Sequence, residues 1–194
     1  TAGVEIDLGS TGSDFDSVFE LSDFEFNQPD AAAINIGGGS SGPIRFSADM
    51  SRDALSTAEI NLLAGPDQDI ELGTFSLDAG SGDILLLNSG LGGITTGDNV
   101  GADLLGDDVA IMGSSGAIGS VSNPLRLAAN TIATSNEGNN GQNLFAIDSV
   151  TIAGGMNSGT GTVGLHGGTF TLSGSDRILD TTSVAVHAGA ALAI

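Results

Sequence analysis

Cysteine is absent from the 194 residues, so the chain has no disulfide framework and no thiol chemistry. Lysine is absent as well. Four arginines (Arg45, Arg52, Arg126 and Arg177) stand against 24 acidic residues, for a net charge of -20. Nucleic acid is excluded as a partner on that balance, because phosphate binding needs basic side chains to displace counterions. An anionic membrane surface is disfavoured for the same reason. Trp and Tyr are missing, which removes the usual aromatic platforms for sugar rings. No apolar run reaches the length of a membrane-spanning helix, so no membrane insertion is expected. Position 1 is not Met and no basic, apolar leader follows it. The chain therefore reads as processed, or as an excerpt from a longer protein.

What is present is glycine, at 31 residues, beside 40% hydrophobic residues. That pairing argues against disorder and for many short strands broken by tight turns. Ile132, Ile152, Leu172 and Leu192 follow one another at intervals of 20 residues, and Val150, Phe170 and Ala190 form a second apolar rail. Strand alternation repeats inside this period, as in VTIAGG at Val150 and FTLSG at Phe170. A fixed period of this kind is the mark of a stacked solenoid. Parallel coils with right-handed crossovers then make the expected fold an all-β, right-handed parallel β-helix with coils of about 20 residues. A β-sandwich would not give a constant ladder, and a doubly wound fold needs amphipathic helices that are missing.

Taken in order, Val4, Ile6 and Leu8 alternate with Glu5 and Asp7 in a first strand. Phe15, Phe19, Phe24 and Phe26 are then interleaved with acidic residues, and strand is the easiest reading of Phe24 to Phe26. Residues 1–50 are expected to be an irregular Phe-rich cap or docking region. Residues 51–194 are expected to be the regular solenoid, and the whole to be one continuous unit. Met50 to Glu59 is the one stretch suited to a helical turn, with Ser51 as N-cap. Short strands separated by Gly/Ser/Asp turns fill the remainder.

Few residues suggest chemistry, and no catalytic residue is expected. His166 and His187 lie in matching contexts, VGLHGG and VAVHAG, which puts them at equivalent positions of adjacent coils. There they could share a metal, although a repeated outward side chain is the simpler reading. Asp98, Asp103, Asp107 and Asp108 crowd one turn region and are candidate calcium ligands, since hard cations want several oxygens on turns. A solvated acidic turn is the alternative. Calcium is the only cofactor the sequence suggests. Paired carboxylates could hydrolyse glycosides, but among so many carboxylates proximity means little. Arg126 and Arg177 are expected to neutralise stacked carboxylates.

The segment AIGSVSNPLRLAANTIATS, followed by NLFAIDSVTIAGG, resembles a repeat of filamentous-haemagglutinin-like bacterial surface proteins. The tail TFTLSGSDRILDTTSVAVHAGAALAI is similar to strand repeats of autotransporter passenger domains. The resemblance covers about the last 80 residues. It implies an exported, extracellular β-helix at the cell surface with an adhesive or structural role, and it brings no catalytic residues. Neither end shows a polar cap, and an open solenoid end invites another chain. The expected function is thus a non-enzymatic subunit or segment of a surface fibre or sheath, assembled by end-to-end strand stacking. An adhesin or calcium-dependent glycan-binding module is the alternative. The expected partner is a second copy, head to tail, or the flanking coils of a longer chain. The expected assembly surface comprises Val4, Ile6, Leu8, Phe15, Phe19, Phe24, Phe26, Ala190, Leu192 and Ile194.

Overall fold

The computed structural model describes residues 3–10, 17–97, 100–136, 138–172, 179–181 and 183–193. Phe15, Asp98, Arg177 and Ile194 lie outside the described residues. The chain opens with β1 (Glu5–Leu8) and β2 (Val18–Leu21), then a single helical turn, α1 (Asp23–Phe26). Coils of three strands follow. They comprise β3 (Ala33–Gly37), β4 (Ile44–Phe46) and β5 (Met50–Ser51); β6 (Glu59–Pro66), β7 (Ile70–Gly73) and β8 (Leu77–Asp78); β9 (Ile84–Ser89), β10 (Ile94–Thr96) and β11 (Leu104–Leu105). The chain continues through β12 (Asp108–Ser114), β13 (Leu125–Ala128) and β14 (Thr131–Asn136). Two long strands, β15 (Gln142–Asn157) and β16 (Thr162–Leu172), then carry it around whole corners. It ends with β17 (Leu179–Asp180), β18 (Ser183–Val186) and β19 (Ala191–Ala193).

Every strand pair is parallel. The molecule is a parallel β-solenoid, as the ladder implies. Its first face runs β3, β6, β9, β12, β14, then the later halves of β15 and β16, and β19. The second face stacks β2, β1, β4, β7 and β10, and is prolonged by bridges at Ile118 and Gln142. The third runs β5, β8, β11 and β13 into β15. In the later coils the second and third faces fuse, because β15 and β16 pass from one to the other without a break.

Inward side chains form the core as columns of like residues. One column runs Ile34, Ile60, Ile84, Val109, Ile132, Ile152 and Leu172. A second runs Ile6, Ile44, Ile70, Ile94, Ile118, Gln142, Val163 and Val184. The expected ladder is therefore the last part of a column that spans most of the molecule, but its interval is not constant. It shortens from 26 residues between Ile34 and Ile60 to 20 between Ile152 and Leu172. The last rung also differs from expectation: Leu192 pairs with Phe170, not Leu172, so Ala190 leaves the second rail. The turn at residues 173–182 gives that coil two extra residues, which shifts the register.

Two local expectations are overturned. Met50 and Ser51 form β5, and no helix follows, because Ser51 spends its backbone groups on neighbouring chain segments. The helical turn lies instead at Asp23–Phe26, where strand was expected. Ser22 and Glu25 close a capping box: the Ser22 Oγ accepts from the Glu25 N–H, and the Ser22 N–H donates to the Glu25 carboxylate at 3.0 Å. This pins the turn and drives Phe26 inward. Nor does the solenoid begin at residue 51. β1, β3 and β4 already sit in its sheets.

Candidate functional site

The end of the rod nearest β1 carries the most developed surface feature. The second face extends past β4 by two strands, β1 and then β2. The third face extends past β5 by α1. Asp23 and Asn27 there hold both backbone groups of Ser51: the Ser51 N–H donates to Asp23 Oδ1 at 2.7 Å, and Asn27 Nδ2 donates to the Ser51 carbonyl at 2.6 Å. Two side chains thus stand in for a neighbouring strand, and the edge of β5 is closed. Arg52 ties the chain after α1 in place by donating to the carbonyls of Phe26 and Pro29. The first face has no such extension and stops at β3 among the described residues. Between these walls opens an apolar hollow of about 510 Å³, lined by Val4, Ile6, Phe19, Leu21, Phe26, Ile34 and Ile36 among others.

The residues expected to form an assembly surface divide accordingly. Val4, Phe19 and Phe24 are 53%, 50% and 74% exposed at this end. Ile6, Leu8 and Phe26 are at most 6% exposed and belong to the core; Ile6 and Phe26 reach only the floor of the hollow. They were expected outside because alternation marks an inward face without saying how many strands cover it. At the other end Leu192 and Ala190 are half-buried.

The acidic residues have a largely structural use. A carboxylate on one coil repeatedly accepts a backbone N–H from the next. Asp23 holds Ser51, Asp49 holds Ser76 at 2.8 Å, Asp67 holds Leu91 at 2.7 Å and Asp69 holds Gly93 at 2.7 Å. Asp83 likewise accepts from Asp108 at 3.2 Å, and Asp103 from Arg126 at 2.7 Å. The calcium candidates fall into this pattern. Asp103 is 2% exposed, and its other oxygen accepts from Thr96 at 2.9 Å. Asp107 accepts from Asn130, and Asp108 from Thr131 at 2.7 Å. Among the described residues no three His, Asp or Glu side chains gather as a metal site.

His166 and His187 do meet. Their rings stack with centroids 3.8 Å apart and planes 11° from parallel. Stacked rings point their nitrogen lone pairs side by side rather than toward a common point, so the geometry suits packing and not a shared metal. Burial, and secondarily the neighbouring His187, push the His166 imidazole below its ordinary value. The column continues from His166 to Phe145 and Arg126 in strand register, and the Arg126 guanidinium lies 3.9 Å from the Phe145 ring centroid. Arg126 thus packs on an aromatic and donates to the Gly101 carbonyl, which adds a cation–π contact to the expected charge role. The stacked rings present their edges outward, so they offer no flat platform.

No family model, no curated protein and no solved structure matches this chain. Among the described residues no helix is long and apolar enough to cross a membrane.

Proposed function

We propose that this chain is a non-enzymatic structural segment of an extracellular surface fibre or sheath, built by end-to-end stacking of β-coils. One observation supports this most. The hydrogen-bonding direction is the long axis of the rod, and the strands at both ends (β2 and β3 at one, β18 and β19 at the other) are paired on one side only among the described residues. Unpaired strand edges are templates for further strands. Heterologous contacts of that kind do not close, and so give fibres. The use of carboxylates to bind coil to coil supports a load-carrying role over a catalytic one.

Light scattering and cryo-electron microscopy of the purified chain over a wide concentration range test this reading. Linear polymers with an axial strand spacing of about 4.8 Å are expected. A compact monomer at every concentration and salt would overturn it.

A further inference from the structure

The end nearest β1 is not flush. The second face continues for two strands beyond β4, and the third is continued by α1, while the first face ends at β3. The apolar hollow occupies the place where the next strand of the first face would lie. We propose that this slot is a strand-acceptor site, which takes an extended segment of a partner protein alongside β3. That segment carries alternating apolar side chains and basic flanking residues.

The backbone of β3 is ready for such a partner. Glu59 N–H donates to the Ala32 carbonyl at 3.0 Å, and Gly38 N–H to the Leu63 carbonyl at 2.8 Å. Between these two bonds, the alternation of a parallel ladder turns the N–H and C=O groups of Ala33, Asn35 and Gly37 away from β6. All three residues are exposed. Ile34 and Ile36 point the other way and line the hollow, so every second side chain of an added strand would meet apolar surface. The slot is short. Val4 closes one end by accepting the Gly42 N–H at 2.7 Å. A segment about as long as β3, which has 5 residues, fills it.

Charge selects the partner. Glu5, Asp7, Glu20, Asp23 and Glu25 surround the slot. The two nearby arginines are engaged: Arg45 lies 3.5 Å from Glu5 and 2.9 Å from Glu71, and Arg52 donates to the carbonyls after α1. The edge itself is uncharged, since residues 31–44 contain no Asp, Glu or Arg. An uncharged apolar groove with an acidic rim fits an apolar strand with basic flanks. A second copy of this chain fits poorly. Its other end is flush, with β18 and β19 on the same turn, so it would meet β2 before it reached β3.

The inference is independent of the fibre reading, which is tested by self-association; this one is tested on the monomer with a peptide. The probe is fluorescein-labelled Arg-Val-Thr-Val-Thr-Val-Arg, titrated by anisotropy, with amide hydrogen exchange at saturation. Binding is expected to weaken with salt, and to slow exchange at Ala33, Asn35 and Gly37 by at least about tenfold. Ala33→Pro removes an outward N–H and leaves the β3–β6 bonds intact, so it should weaken binding by about tenfold or more. Leu55→Ser, at an exposed site away from the slot, should not. No binding, or binding that leaves those three amides unprotected, overturns the proposal even if Ala33→Pro misfolds.

Discussion

His166 is held against a second imidazole and is largely shielded from water, and both conditions oppose its protonation. Its folded value lies below its ordinary value of about 6.5, so as pH falls the unfolded chain takes up the proton first. The stabilising contribution of the neutral ring is complete above that value. It is lost as pH falls toward and through the folded value. Proton NMR titration should find His166 titrating below the ordinary histidine range, and His187→Asn should move it upward. An unchanged midpoint in the variant would show that the contact does not matter electrostatically. The pairing itself was legible in the sequence, because VGLHGG and VAVHAG share a context. The rest of the column was not. Phe145 and Arg126 sit on coils of different length with no shared motif, and only strand register brings them into line.

At the scale of elements, the corners hold the coils together as much as the strands do. Asp69 accepts the Gly93 N–H of the next coil at 2.7 Å in a part-buried site. Asp69→Ala leaves that donor without its partner and should cost about 1–3 kcal/mol in a denaturant melt. Asp69→Asn keeps an acceptor oxygen and should cost less. Equal losses would mean that the charge, not the oxygen, matters. These corner bonds explain why the acidic turns resembled a cation site in sequence: both uses need carboxylates on turns, and only the partner distinguishes them. α1 was legible but unread. Ser22 and Glu25 have the spacing of a capping box, and the alternation of Phe24 and Phe26 outweighed it. The second core column was hidden for a different reason. Its coils are longest where its isoleucines are most regular, from Ile44 to Ile118, and a fixed period of 20 misses them.

Over the whole molecule, each coil touches only its neighbours, so stability is a sum of local terms. The central coils are covered on both sides, whereas β18 and β19 pair only with β16 among the described residues. Hydrogen exchange should therefore be slowest for amides of β9 and β12 and fastest at β18 and β19. Uniform protection along the rod would contradict a nearest-neighbour solenoid. The general architecture was readable because inward columns must keep like residues in register. The shape of the ends was not, since it depends on which face stops first, and that is decided by turns of irregular length.

The shortening of the coils, from 26 residues to 20, has a directional consequence. A tapering rod cannot be turned end for end and superimposed on itself. Copies joined along the axis would all point the same way, and the resulting fibre would carry an arrow. Its two tips would be chemically different surfaces, one with a strand-wide notch and one flat, and they would lengthen at different rates.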